Sequence, residues 1–197
     1  STSLLKGLGE IAEKHRCWVQ SHIAESPDEM AFVDSLHPGR RDAEIFDAHK
    51  LLTSRTVMAH GVHLRPEEVK LLVTRGSGVA CCPLSNFFFA GGELPLKQVQ
   101  AAGLRVGLGT DVAGGYSPSM LSSCRTATLA SKVVARAAGG GADADVDYRR
   151  AFWTATMGGA RAIGLEEHLG CLEVGRQFDA LLVDVSCGAF DRFAEAV

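Results

Sequence analysis

Long apolar runs, an excess of one charge and an ordered cysteine pattern are all missing from this sequence of 197 residues. No apolar stretch approaches the roughly 20 residues of a membrane-spanning helix, and no basic segment followed by an apolar one opens the chain, so we expect neither a membrane span nor a signal peptide. Lys and Arg number 20 against 23 Asp and Glu, for a net charge of −3. Because no basic stripe is present, nucleic acid and membranes are not expected partners, and small neutral ligands are favoured.

Cysteine is present but forms no framework. The six cysteines lie in apolar surroundings without regular spacing, and the adjacent Cys81 and Cys82 fall in a strand-like segment, where neighbouring side chains point to opposite faces. This pattern predicts reduced thiols and a cytoplasmic protein. The G-x-G-x-x-G loop of nucleotide-binding sheets is also missing after every predicted strand, which weakens that alternative. Apolar residues make up 46% of the chain, enough for a sizeable core.

Apolar periodicity alternates between helical and strand spacing through most of the chain. Helix-like segments separate four predicted strands, at "CWVQSHI", "TVMAH", "GVACC" and residues 104–109. Ser26, Pro27 and Glu29 form a capping box that predicts a helix from there into the mid-30s. Parallel neighbouring strands need connections of a dozen residues or more, so the alternation predicts an α/β fold with a parallel sheet, either part of a barrel or an open sheet.

The second half of the sequence changes character near Gly170. A long helix is predicted from Ser117 and Pro118 to about Arg136, and one further helix over "YRRAFWTATMGGARAIGL". After Gly170, "GCLEVGRQFDALLVDV" has the pattern of a turn, a short strand, a second turn and an apolar strand. We therefore divide the chain into an α/β region, residues 1–169, and the start of a separate β region, residues 170–197.

Four polar residues occupy the ends of predicted strands. His22 ends the first strand and Glu25 follows it, His60 ends the second, and Asp111 follows the fourth in "RVGLGTDVAGG". Each residue alone is equally typical of a strand terminus or a turn cap. Because the carboxyl ends of parallel strands meet at one edge, however, we expect the four to share a site. Imidazole nitrogen and carboxylate oxygen are the usual ligands of a hydrolytic zinc ion.

The segment after the third strand leaves two interpretations open. Ser85 and Asn86 fit either the rim of a pocket or an ordinary polar turn. The three aromatic residues that follow, Phe87, Phe88 and Phe89, fit either a stacking surface for a planar ligand or the core, and we favour the core.

The order and separation of these motifs resemble a known family. "QSHIAE", "TVMAHG", "CCPLSN" and "GLGTDVAGGYS" resemble the amidohydrolase superfamily of metal-dependent hydrolases, and within it most closely the guanine deaminases. The resemblance extends through "TMGGARAIGL" to "GCLEVGRQFDALLVD". It implies a (β/α)8 TIM-type barrel, of which residues 1–169 are the second half with strands five to eight, while residues 170–197 begin a small β-sandwich.

The resemblance also implies a role for each strand-end residue. His22 and Asp111 match ligands of a single zinc ion, and Asp111 also matches the aspartate that takes a proton from the attacking water. His60 matches the histidine that orients and deprotonates this water, and Glu25 matches the glutamate that contacts the purine and carries a proton to its ring. All four residues line the substrate site. The implied activity is zinc-dependent hydrolysis of guanine to xanthine and ammonia in purine catabolism, by a cytoplasmic homodimer.

Two motifs that the resemblance leads us to expect do not occur in the sequence. The His-x-His pair that supplies two further zinc ligands is missing, and so is the Arg-Phe segment that holds guanine, which the resemblance leads us to expect just upstream of Ser1; the Arg-Phe at 192–193 lies far from that place in the sequence. We therefore expect this chain to be the second half of the enzyme and to be inactive by itself. Two alternatives stay open: an amidohydrolase with another substrate, such as a different aminopurine, a pteridine or a chlorinated triazine, or a structural fragment without activity.

Overall fold

A four-stranded parallel sheet is the framework of the chain. The computed structural model describes residues 1–141 and 145–183. The strands lie in sequential order, and every neighbouring pair is parallel. Their bounds are β1 Val19–Ile23, β2 Thr56–His60, β3 Gly78–Cys81 and β4 Arg105–Leu108. The α/β class and the four predicted strands are thus confirmed, whereas membership of a half-barrel stays a prediction.

Helices connect consecutive strands and continue the chain after β4. A three-residue helix, α5, is followed directly by a π-helix at Asn86–Ala90. The α-helices are α1 Thr2–His15, α2 Pro27–Leu36, α3 Asp42–Ala48, α4 Pro66–Arg75, α5 Pro83–Ser85, α6 Leu96–Ala101, α7 Met120–Ala137, α8 Tyr148–Ala155 and α9 Met157–Ala162. Over residues 1–141 and 145–183, no helix is long and apolar enough to cross a membrane.

The core is built from apolar residues of all four strands and of the helices. Ile23, Met58, Val79 and Val106 are at most 2% exposed and belong to a single cluster. The same cluster includes helical residues Val69, Leu72, Leu96, Val99 and Ala127. Burial of a side chain of this size contributes about 1.5–3 kcal/mol, so the cluster holds the strands in a rigid arrangement.

Helix α9 packs directly on the backbone of the sheet. A Cβ atom on Gly107 of β4 would lie 2.9 Å from the Cα of Gly159 in α9. A side chain at Gly107 would therefore push α9 away. This close approach explains a glycine in the interior of a strand, where it otherwise weakens the structure.

Two predicted helices differ from those observed, and one observed helix was not predicted. Helix α7 begins at Met120 with Ser119 as its cap, because the Ser119 side chain accepts a hydrogen bond from the Ser122 amide at 3.4 Å. The helix predicted over residues 148–165 is two helices, since Thr156 has φ −112° and ψ −93°, outside the helical region. Helix α3 was not predicted, because its segment shows no clear apolar period.

The predicted β region is only partly within the described residues. Residues 170–183 form turns and extended backbone but no strand, so the predicted short strand is wrong in this structure. A strand requires a hydrogen-bonded neighbour, and Leu181 and Leu182 are at least 93% exposed instead. Residues 184–197 lie outside the described part, and the division at 169/170 stays a prediction. The five cysteines in the described ranges are free thiols, as expected.

Candidate active site

The two strand-end histidines meet at the carboxyl end of β1 and β2. His22 is the penultimate residue of β1 and pairs in register with Ala59, while His60 ends β2 and pairs with Ile23. Their ring centroids are 5.2 Å apart, with the planes tilted by 55°. His22 is exposed and His60 is buried. The predicted convergence of the two rings is therefore observed.

Glu25 faces His60 from the loop that follows β1. Its Oε1 lies 3.7 Å from His60 Nε2, and its side chain is 25% exposed. Two buried or half-buried carboxylates hold the loop: Asp42 accepts a hydrogen bond from the Ala24 amide at 2.8 Å, and Glu29 accepts one from the Glu25 amide at 2.6 Å. Burial raises the pKa of both Asp42 and Glu29, although these hydrogen bonds act in the opposite direction. The loop is thus anchored at two successive amides.

The residues that cap the start of α2 also hold the loop that carries Glu25. Ser26 caps the helix as predicted, because its hydroxyl accepts a hydrogen bond from the Glu29 amide at 3.1 Å. The Glu29 carboxylate reaches one residue further back than a simple capping box requires, to the Glu25 amide. The start of α2 therefore positions Glu25.

The backbone at His60 turns sharply out of the sheet. His60 has φ +71° and Gly61 has φ +67°. The Gly61 amide still donates to the Ile23 carbonyl at 2.9 Å. His60 Nδ1 lies 3.0 Å from Asn86 Oδ1, and Nε2 lies 3.7 Å from Glu25 Oε1. The ring is therefore held at Nδ1 by Asn86, and Nε2 is directed towards Glu25.

Asp111 lies beyond the carboxyl end of β4, as predicted. Its φ is +49°, a left-handed conformation that Asp tolerates better than most residues. A Cβ atom on Gly114 would lie 2.6 Å from Asp111 Oδ2. The glycine-rich loop therefore leaves space for the carboxylate, which explains the glycines after this aspartate.

The buried thiol of Cys82 lies within the electrostatic influence of both Asp111 and Glu25. Burial raises the pKa of Cys82, the residue after β3, to about 12, and the charges of Asp111 and then Glu25 add to this effect. Such charge interactions weaken with distance. The two carboxylates therefore lie at the same end of the sheet, on either side of β3.

The chemistry of the residues fits a zinc site, but the chain supplies only part of one. Hydrolytic zinc has three protein ligands and an open position. In the ranges 1–141 and 145–183, no group of three His, Cys, Asp or Glu residues is placed to hold a metal ion. His22 lies in the edge strand β1, and Asp111 follows the other edge strand, β4. They provide two suitable donor groups at the carboxyl end of the sheet.

The sequence interpretation missed the role of Asn86. Asn86 and Ser85 are both fully buried, so neither lies on a pocket rim. Asn86 connects His60 to Glu93, since its Nδ2 lies 3.3 Å from Glu93 Oε2. The sequence shows only that two polar residues precede an aromatic run. This pattern does not indicate whether the polar or the aromatic side chains face the interior of the protein.

The aromatic run is exposed, and its assignment to the core was wrong. Phe87, Phe88 and Phe89 are 49–64% exposed. The π-helix buries its first and last residues, Asn86 and Ala90, and turns the three rings between them outward. Phe88 also packs edge-on against Tyr116, with ring centroids 5.9 Å apart.

Comparison with known proteins gives a consistent family. Residues 1–195 match the amidohydrolase family. Guanine deaminase from Rattus norvegicus is 40% identical over 198 residues, which cover 95% of this chain and 43% of the relative. A crystal structure of guanine deaminase from C. acetobutylicum, with guanine bound in its active site, is 33% identical with a TM-score of 0.84, covering 91% of this chain and 42% of that one.

A third relative was solved with metal. The structure of an adenosine deaminase from Xanthomonas campestris with bound zinc has a TM-score of 0.81 and 29% identity, covering 91% of this chain and 40% of that one. The chain spans about two fifths of the length of these relatives. Since the family match runs along nearly the whole sequence, the chain belongs to the amidohydrolase family.

Proposed function

We propose that the protein carrying this chain hydrolyses guanine to xanthine and ammonia. The observation that supports this most is the cluster at the carboxyl end of β1 and β2. In this cluster, Glu25 Oε1 lies 3.7 Å from His60 Nε2, and the ring centroids of His22 and His60 are 5.2 Å apart. A carboxylate and an imidazole beside each other are the groups most often used for proton transfer in an active site. We propose guanine as the substrate because the chain is related to guanine deaminases.

We propose a single zinc ion as cofactor, held in part by His22 and Asp111. When bound, zinc makes a water molecule acidic enough to attack at neutral pH. Its presence in the related adenosine deaminase supports the assignment. Because the described residues give two donors of this kind, other ligands are needed to complete the site.

The residues of the chain have complementary roles in the proposed reaction. The Asp111 carboxylate accepts a proton from the attacking water, and His60 accepts a hydrogen bond from it at Nε2, which orients it. Glu25 carries one proton of the water to a ring nitrogen of guanine, which makes the neighbouring carbon more electrophilic, and the proton that Asp111 takes from the water passes to the departing ammonia. His22, Glu25, His60 and Asp111 together line the substrate site.

The assembly and location of the protein are also proposals. The family resemblance supports a homodimer, and the free cysteines of the described residues are compatible with a cytoplasmic enzyme. Neither property follows from the geometry of the site.

The proposed activity is tested with the protein that carries this chain. We expect release of ammonia and xanthine from guanine, and we expect Glu25→Gln to retain zinc but to lower the rate about 100-fold or more, the usual scale for a general acid or base. Absorbance of xanthine gives the rate, and elemental analysis gives the zinc content. Glu67→Gln, an exposed glutamate on α4, is the matched control and keeps wild-type rates.

Two results would contradict this assignment. Loss of zinc in Glu25→Gln would make Glu25 a ligand or a structural residue. Turnover of another aminopurine, a pteridine or a chlorotriazine in place of guanine would assign a different amidohydrolase activity. We further expect the chain of 197 residues alone to show no turnover even with added zinc, since His22 and Asp111 are too few ligands for tight binding.

A further inference from the structure

A small cavity lies at the amino end of β4, away from the candidate active site. Its volume is about 70 Å³, and residues from the start of β4 and from α6, α8 and α9 line it. We call it the arginine cavity, because its lining includes Arg105, Arg150 and Arg161, together with Gln100 and Trp153. The proposed reaction takes place at the carboxyl end of the sheet and uses none of these residues.

The lining of the arginine cavity is positively charged, although the chain as a whole has a net charge of −3. Among the described residues that line it there is no Asp or Glu. Glu166 Oε1 lies 3.5 Å from Arg105 and balances one of the three charges. Within residues 1–141 and 145–183, Arg150 and Arg161 form no ion pair. Charges of one sign in a cleft attract a counter-ion, so the cavity favours an anion.

The side chain of Arg150 is held in place without a ligand. Its Nε donates a hydrogen bond to Gln100 Oε1 at 2.8 Å, and Gln100 Nε2 donates to the hydroxyl oxygen of Thr154 at 3.1 Å. Thr154 is fully buried, so these bonds connect Arg150 to the interior of the protein. The bond at Nε leaves the two terminal nitrogens of the guanidinium for a ligand. A donor that is already ordered loses little conformational entropy when a ligand binds.

Trp153 holds both arginines that lack an ion pair. The guanidinium carbons of Arg150 and Arg161 lie 5.5 Å and 5.9 Å from the centroid of its ring. A contact with the face of an aromatic ring does not use the N–H donors at the edge of the guanidinium. Both arginines are also exposed, so the cavity opens to solvent. A ligand can therefore reach these donors.

The size of the arginine cavity fits one phosphate group. A water molecule needs about 10–15 Å³ of such space. A cavity of about 70 Å³ therefore accommodates about as many water-sized atoms as phosphate has non-hydrogen atoms. Arginine suits phosphate because its planar guanidinium donates parallel hydrogen bonds to the phosphate oxygens.

We propose that the arginine cavity binds a phosphate group through Arg150 and Arg161, with Arg105 as a further donor. The phosphate belongs either to the free ion or to a small phosphate ester whose remaining part extends into solvent. This site lies at the opposite end of the sheet from Glu25 and His60, and it does not depend on the proposed function.

Equilibrium dialysis of the protein that carries this chain against inorganic phosphate tests the proposal. We expect saturable binding with a dissociation constant of about 1 mM or lower. The affinity is expected to fall as the concentration of sodium chloride rises, because salt screens the attraction between the guanidinium groups and the anion.

Variants of the two exposed arginines locate the bound ion. Arg150→Gln and Arg161→Gln are each expected to weaken binding about 10-fold or more, the scale for loss of a charge-assisted hydrogen bond. Arg161→Lys keeps the charge and is expected to lose less affinity than Arg161→Gln. Arg125→Gln, at an exposed arginine of α7 outside the cavity, is the matched control and keeps the affinity of the unmodified protein. Circular dichroism shows whether each variant is folded.

A competition experiment distinguishes the two sources of phosphate. Uridine monophosphate is expected to displace inorganic phosphate, whereas uridine, which has no phosphate group, is not. Displacement at a lower concentration than unlabelled phosphate requires assigns the site to a phosphate ester. Displacement only at a higher concentration assigns it to the free ion. Displacement by uridine would show that the cavity binds the nucleoside and would contradict the proposal.

Three further outcomes would overturn the inference. The first is the absence of saturable binding up to about 10 mM phosphate. The second is an unchanged affinity in both Arg150→Gln and Arg161→Gln, which would place the phosphate elsewhere, such as at the proposed zinc ion, and leave the arginines only the contact with Trp153. The third is an equal loss of affinity in Arg125→Gln, which would indicate a general effect of charge.

Discussion

Three residues of the candidate site have a left-handed backbone although none is glycine. Ala24, His60 and Asp111 have φ values of +46°, +71° and +49°. Each such residue costs about 1–2 kcal/mol relative to ordinary conformations, so the surrounding hydrogen bonds and packing must hold it in place. All three lie at the carboxyl end of the strands. Backbone strain of this kind is concentrated where side chains must be directed into a site. No pattern in the sequence predicted these left-handed conformations.

Glu93 predicts a pH dependence of stability. Its folded-state pKa of about 8 lies above the ordinary value of 4.5 because burial disfavours the charged form, while the hydrogen bond from Asn86 acts in the opposite direction. Between these two values the unfolded chain loses the proton and the folded chain keeps it. The free energy of unfolding therefore falls as pH rises from about 4.5 to about 8, by at most about 1.4 kcal/mol per pH unit.

Urea denaturation at pH 6 and pH 8 measures this dependence. Glu93→Gln has no proton to lose, so we expect its free energy of unfolding to fall less over this interval than that of the unmodified chain. Every other residue is the same in the two proteins, so the comparison isolates position 93. Equal slopes for the two proteins would show that Glu93 has no raised pKa in the folded state.

The loop between β4 and α7 determines where the Asp111 carboxylate lies. Gly114→Ala would place a Cβ 2.6 Å from Asp111 Oδ2, so the carboxylate has to move. In the protein that carries this chain, we expect zinc affinity to fall about 10-fold or more, as for other changes beside a metal ligand. Competition with a chelator measures the affinity. Gly141→Ala, whose added Cβ would have no atom within 4 Å, is the control. Equal zinc affinities of the two variants would show that Asp111 does not bind the metal.

A buried ion pair connects the elements that support Glu25. Arg41, at the start of α3, contacts Glu68 of α4 at 2.8 Å, with Glu68 only 5% exposed, and it also donates to the His63 carbonyl. Glu68→Ala leaves a largely buried guanidinium unpaired, and we expect a loss of about 3 kcal/mol in unfolding free energy. Glu13→Ala breaks an exposed pair with Lys50 and should cost under about 1 kcal/mol. Similar losses in urea denaturation would contradict this difference.

Most elements were predictable from local patterns. Alternating apolar residues located all four strands, and the Ser26 cap located α2, because both depend on neighbours in the sequence. Helix α3 and the π-helix at Asn86–Ala90 depend instead on packing between distant segments. The break at Thr156 likewise has no proline to mark it, so the sequence predicted one helix where there are two.

At the scale of the whole molecule, the sequence predicted that these strand-end residues lie at one end of the sheet, but not how they are held. His22, Glu25, His60 and Asp111 could be found because each stands at a strand end, and parallel topology brings strand ends together. The groups that anchor them, including Asp42, Glu29 and Asn86, come from segments 4 to 26 residues away and resemble ordinary polar residues. Only the folded chain shows that their side chains turn towards the site.

The central claim is that His22 and Asp111 bind the zinc ion of a hydrolytic site at the carboxyl end of the sheet. Anomalous diffraction at the zinc absorption edge, from crystals of the protein that carries this chain, tests it most directly. We predict one zinc peak about 2.0–2.2 Å from a ring nitrogen of His22 and a carboxylate oxygen of Asp111, with Glu25 beside it but not coordinated. A zinc peak at other residues, or no peak in protein that deaminates guanine, would contradict the account.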